Sequence, residues 1–201
     1  MKLFDFFRKK ALQEPGEQEQ WSISEFPNEQ IARNAALLEL SGKLSGYMDD
    51  IVAEVNEALQ QPEMYVDKWQ DRLDERGITE PIEELAWIAL VDALIEEQLA
   101  REIDWKTDGE TIIYVIDNLL NRKKLLDYRI NWSEYIEEER LTTYEILCTA
   151  RSVLQEHDLA LGCLDIESDC YVLITVPIQD MEALITLAGK AGYRIGEFIH
   201  E

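Results

Sequence analysis

The sequence predicts an α+β fold, with a mainly helical N-terminal two-thirds packed against a small C-terminal β-sheet. Two observations carry this. From Asn28 to Leu154 apolar residues recur at the spacing of helix faces, and beyond His157 the period changes to the alternation of strands. Length and composition set the frame: 201 residues, 46% hydrophobic and 30% charged, describe one globular domain or at most two small ones. Residues 1–20 read as an N-terminal helix and linker. Residues 21–201 read as a single domain, helical over 28–157 with the sheet unit over 158–199.

The opening Met1–Lys10 places Leu3, Phe4, Phe6 and Phe7 before the basic cluster Arg8, Lys9 and Lys10. Asp5 interrupts the apolar stretch and the positive charges follow it, the reverse of a secretory signal. The expected location is the cytoplasm. Gln13–Gln20 is polar and carries the break Pro15-Gly16, so it reads as linker. A helical run from Asn28 to about Gln60 has a first stripe of Ile31, Ala35 and Leu38, a break near Gly42 and Gly46, and a second stripe of Ile51, Val52, Val55 and Leu59. Tyr65, Trp69 and Leu73 form a third stripe, closed by Gly77 at the position where a left-handed residue ends a helix.

The clearest helix runs from Glu80 to about Arg101, with Thr79 as N-cap and Pro81 in its first turn. Its apolar surface is broad enough to be touched on several sides, and Asp92 lies inside it. A carboxylate there requires a partner. Glu102–Lys106 reads as a connection. Thr107 or Asp108 caps a helix burying Ile112, Ile113, Ile116, Leu119 and Leu120, and Lys123 and Lys124 suit its negative end. Asp127–Arg140 is ambiguous between strand and turn. Thr142 or Thr143 opens a helix carrying Tyr144, Ile146, Leu147, Ala150, Val153 and Leu154.

The sheet unit begins with the alternation of Leu159, Leu161 and Cys163, followed by the polar hairpin loop Ile166–Asp169. Cys170–Val176 is apolar on both sides, as a covered central strand requires. Pro177 ends it, Asp180 caps a helix to about Ala191, Gly192 stops that helix, and Tyr193–Phe198 is a last strand.

The residues of chemistry are sparse. Cys148, Cys163 and Cys170 form no CxxC pair and read as buried thiols, with a bond between Cys163 and Cys170 across the hairpin as the alternative. Asp165, Glu167 and Asp169 imitate the first ligands of an EF-hand loop, but Cys170 stands where glycine is needed and Val176 where the bidentate glutamate is needed. Glu197 and His200 have metal-ligand spacing only on a helix, and a strand is expected there. No nucleophile elbow and no glycine-rich phosphate loop is present. Trp69, Trp87, Trp105 and Trp132 read as core, whereas Trp21 and Phe26, beside the linker, read as interface residues. No catalytic, cofactor-binding or metal-ligating residue is expected.

Charge is the outlier: 19 Lys+Arg against 42 Asp+Glu leaves −23. Nucleic acid is excluded as a partner on this balance, since phosphate contacts need basic side chains gathered on one face. The expected function is a non-enzymatic binding protein for a basic protein partner. Trp21, Phe26, Glu137, Glu138, Glu139, Asp165, Glu167 and Asp169 are its candidate contact residues. The alternatives are an enzyme with an unrecognised carboxylate site at Asp92 or at the Asp165–Asp169 hairpin, and a membrane-surface adaptor acting through Phe4, Phe6 and Phe7.

At Glu102-Ile103-Asp104-Trp105-Lys106, and at Cys170-Tyr171-Val172-Leu173 after Asp165–Asp169, the chain resembles an uncharacterised family of acidic bacterial α/β proteins. In size, acidity and its Phe-rich, Lys-terminated opening it also resembles the immunity proteins of bacterial polymorphic toxin systems. The resemblance implies a cytoplasmic binding protein, its basic partner a toxin, with no catalytic residues to carry over.

Overall fold

The computed structural model describes residues 26–127, 129–136 and 141–196. The expectations for the opening helix, the linker, Trp21, Glu137, Glu138, Glu139, Glu197 and His200 lie outside the described residues. The architecture is α+β, with a four-stranded antiparallel sheet between two helical layers. In chain order the elements are α1 (Phe26–Ser45), α2 (Asp49–Gln60), α3 (Pro62–Lys68), α4 (Gln70–Glu75), α5 (Leu85–Glu96), β1 (Arg101–Asp104), α6 (Gly109–Lys123), a single 3₁₀ turn (Trp132–Glu134), α7 (Thr143–Gln155), β2 (Leu159–Leu164), β3 (Cys170–Pro177), α8 (Ile178–Ala191) and β4 (Ile195–Gly196). Among the described residues no helix is long and apolar enough to cross a membrane.

The sheet order is β1-β3-β2-β4. β2 and β3 form the expected hairpin, in register from Leu159 opposite Pro177 to Leu164 opposite Val172. β1 pairs β3 from outside, and β4 pairs β2. Because side chains alternate along a strand, the hairpin feeds two cores at once. Ala160, Leu164, Val172, Ile174 and Val176 pack beneath α1, α2, α5 and α8. Leu159, Leu161, Tyr171 and Leu173 pack beneath α6 and α7. Gly162 is where α8 comes closest: a Cβ there would stand 2.9 Å from Met181 Cε and 3.2 Å from Ile174 Cγ1.

Several caps are where the residue types place them. Asp108 accepts from the Thr111 backbone N–H, and Thr142 with Glu145 forms a complete capping box at α7. Gly192, at φ 89°, ends α8, with the Tyr193 N–H bonding back to the Ala188 carbonyl.

Other expectations are corrected. β1 occupies the segment read as a connection: α5 stops at Glu96, Gln98 turns left-handed at φ 58°, and the freed chain at Arg101–Asp104 lies down along β3. α5 begins at Leu85, because Pro81–Glu84 forms a turn and not a first helical turn. The Tyr65–Leu73 stripe is split at Trp69 into α3 and α4. On α1 the buried stripe is Ala36, Leu37, Leu40 and Leu44, while Ile31 faces outward. α8 starts directly after Pro177 with no side-chain cap, leaving Asp180 as an acid in its first turn. Trp105 and Tyr144 are exposed, because they stand beside the starts of α6 and α7. The 129–136 stretch is irregular apart from its 3₁₀ turn, with Ile130, Trp132 and Ile136 anchored in the second core.

Lys123 did not stay with the end of its helix dipole. Its Nζ donates to the Thr175 carbonyl of β3 at 3.0 Å, and burial lowers its pKa to about 8. The folded chain therefore prefers neutral Lys123, so the group costs stability below pH 8, and that cost is relieved as pH rises from about 8 toward the unfolded value near 10.4. Lys123→Met is expected to be more stable than the natural chain by about 1–2 kcal/mol at pH 7, the desolvation cost less one hydrogen bond. Denaturant titrations at pH 7, 9 and 10.5 check this: the gap should close as pH rises, and a constant gap refutes the assignment.

Candidate functional site

Three residue rows run along α3 and α4 at four-residue spacing, and each has a different fate. Tyr65, Trp69 and Leu73 turn inward, with Tyr65 and Leu73 fully buried and Trp69 half-buried. Lys68, Arg72 and Arg76 lie beside them and reach toward acids on neighbouring elements. Asp67, Asp71 and Glu75 form the outer row, exposed and without a cation partner among the described residues. Together with Asp92, Ile95 and Glu96 of α5 and Arg101 and Glu102 of β1, Trp69 and the other two rows line an open cleft of about 980 Å³.

Asp92 lies at its floor. α5 is buried without interruption from Leu85 to Leu94, so the one carboxylate of that run sits in the apolar layer with a side chain only 4% exposed. The partner that the sequence demanded is a pair of arginines. Arg76 Nε donates to Asp92 Oδ1 at 2.8 Å, and its Nη2 donates to Glu102 Oε2 at 2.9 Å. Arg72 Nε stands 3.6 Å from Asp92 Oδ2. Arg72 also donates to Glu54, to Tyr65 Oη at 2.5 Å and to Glu96 Oε2 at 3.3 Å. The Tyr65 hydroxyl in turn donates to Glu54 Oε1 at 2.8 Å. Lys68 is held by Glu57 at 2.7 Å. The Arg72 guanidinium lies 4.1 Å from the centre of the Trp69 ring, a cation–π stack that fixes the ring as one wall.

The electrostatics follow from burial. Desolvation raises the Asp92 carboxyl above its ordinary range, although Arg76 and Arg72 pull it down. Burial, and then the Glu54 carboxylate, hold the Tyr65 hydroxyl far above its usual value, so it donates as a neutral phenol. Three buried side-chain atoms of this network have no hydrogen-bond partner among the described residues: Trp69 Nε1, Arg72 Nε and Asp92 Oδ2.

The candidates read from the sequence are distributed differently. Asp165 is spent inside the fold: Arg194 holds its Oδ2 at 2.7 and 3.0 Å, the Glu167 N–H holds its Oδ1, and its carbonyl accepts from Trp87 Nε1 at 2.7 Å. Glu167 and Asp169 remain exposed on the hairpin and do not line the cleft. Phe26 begins α1, with its side chain outside the described residues. Cys163 lies opposite Leu173 and Cys170 opposite Asp104, so the two thiols are not across from one another; both are free, and burial pushes each up to about 11. Among the described residues no three acidic, histidine or cysteine side chains are arranged to hold a metal ion. Sequence reasoning singled out Asp92 but missed Arg72, Arg76 and the acidic rim. The three interleaved rows at four-residue spacing were the available signal.

A family model described as a domain of unknown function, DUF6630, matches residues 36–199. No curated protein and no solved structure matches the chain. The matched span includes every cleft residue.

Removing one member of this network leaves a buried charge uncompensated. Arg76→Met is expected to destabilise the chain by about 3 kcal/mol, and Arg76→Met with Asp92→Leu to recover most of that loss. Denaturant unfolding of both variants and of Asp92→Leu checks it; additive losses would show that the pair is not coupled.

Proposed function

The chain belongs to the DUF6630 family, and from that premise we propose that it is a non-enzymatic acidic binding protein that captures a basic protein partner. One observation carries the reading: acids outnumber cations by 42 to 19, and several of those cations are already paired within the chain. Arg33, Lys68, Arg72, Arg76, Arg122 and Arg194 are each paired with a carboxylate. Lys123 is turned onto the sheet. In a chain of net charge −23, the outward field is negative. Such a field speeds encounter with a cationic protein and rejects anionic ones.

A toxin is the narrower form of the partner, and an immunity protein the narrower form of the role. The chain's size, its acidity and its Phe-rich, Lys-terminated opening support this form. The cytoplasm, where such a protein would meet its partner, belongs to the same proposal.

The test is capture from lysate of the source organism on immobilised full-length chain. The retained protein should be basic, and its dissociation constant should weaken by about tenfold or more between 50 and 300 mM salt. A neutral or acidic partner, or an affinity indifferent to salt, refutes the reading.

A further inference from the structure

We infer that the cleft between α4 and α5 is where the basic partner is anchored: a lysine or arginine side chain of the partner reaches Asp92 Oδ2, and a main-chain carbonyl of the same segment accepts from Trp69 Nε1. This rests on the binding reading above and names the place and the chemistry of the contact.

Four buried side-chain polar atoms lack a hydrogen-bond partner among the described residues, and three of them belong to residues lining this cleft. They are of two kinds. Trp69 Nε1 and Arg72 Nε are donors, and Asp92 Oδ2 is an acceptor. A basic peptide segment carries both complements, a carbonyl for the indole and a cationic head for the carboxylate. The Asp92 side chain is 4% exposed, so its Oδ2, which accepts no hydrogen bond, is desolvated, and a charge-assisted hydrogen bond there is stronger than one at the surface. Arg72 Nε, at 3.6 Å from that oxygen, is its ion-pair partner but lies beyond hydrogen-bond length, so Oδ2 keeps an unused acceptor site.

Charge selects the sign of the guest. Asp67, Asp71, Glu75, Asp92, Glu96 and Glu102 line the cleft against Lys68, Arg72, Arg76 and Arg101. Three of those four cations are already held by carboxylates, leaving Arg101 as the exception. An anion entering here meets surplus acid at each side. A cation meets Asp67, Asp71 and Glu75 in a row at one-turn intervals, which would guide successive basic residues along α3 and α4 toward the floor.

The experiment follows the Trp69 indole N–H signal of the full chain by NMR, assigned by its loss in Trp69→Phe, during titration with the blocked peptide acetyl-Arg-Arg-Arg-amide at low salt. The inference expects a saturable downfield shift of that signal. It also expects affinity about tenfold weaker in Asp67→Asn/Asp71→Asn/Glu75→Gln, and a much smaller loss in the equal-charge control Glu39→Gln/Glu156→Gln/Glu182→Gln. Asp92→Asn, if its amide spectrum shows it folded, should weaken binding at least as much as the rim variant; the rim and indole readouts decide if it does not fold. Binding that leaves the Trp69 signal in place, or that weakens equally in rim and control variants, overturns the anchoring site while the wider reading survives. No binding of the peptide at low salt overturns both.

Discussion

A buried carboxylate has to be met by cations, and the arrangement of α3, α4, α5 and β1 depends on how Asp92 is met. α5 is buried without interruption from Leu85 to Leu94, and the Asp92 carboxylate within that run has almost no access to water. Arg76 bridges Asp92 to Glu102 of β1, and Arg72 bridges it to Glu54 of α2 and Glu96 of α5. The network ties the helical layer to the edge of the sheet with directional contacts, where apolar packing alone would allow sliding. Ion pairs of this kind add little net stability over an apolar substitute, and their worth lies in fixing geometry. Here the fixed geometry is a cleft with a tryptophan wall, a carboxylate floor and an acidic rim.

The same contacts shape the outside of the molecule. An acidic chain with few cations could scatter them over its surface and soften its field. This one draws Arg72, Arg76 and Lys123 inward, and fewer cations are left at the surface among its many acids. The sheet permits this because both of its faces are covered: the hairpin β2–β3 serves two cores, and each helical layer needs only short polar ties to hold its position. Trp87 supplies one such tie, donating to the hairpin at Asp165 while its ring stacks on Tyr193 at 4.7 Å.

The legible part of the fold was the part set by local rules. The stop at Gly192 and the two-sided strand Cys170–Val176 are fixed by neighbours in sequence, and the caps Asp108 and Thr142 are each one of the two adjacent residues the sequence offers. β1 was not legible, because Arg101–Asp104 is four residues long with one buried apolar side chain, Ile103; its pairing partner lies some seventy residues away in the chain. The stripe on α1 was misread for a related reason: Ile31 and Leu44 are equally apolar, and only packing against α8 and α2 decides which is inside. At the site, Asp92 was conspicuous as one polar residue in an apolar run. Arg72 and Arg76 were not, because they stand twenty and sixteen residues earlier and the link to Asp92 is tertiary.

The most direct test of the account is the titration of the Asp92 carboxyl itself, followed by the ¹³C signal of its side chain in the full-length chain. The account predicts a carboxylate that is ionised at pH 7, titrates above the ordinary aspartate range because it is buried, and moves higher still when Arg76 is replaced by methionine. A carboxyl that is neutral at pH 7, or one whose titration ignores the loss of Arg76, would contradict it.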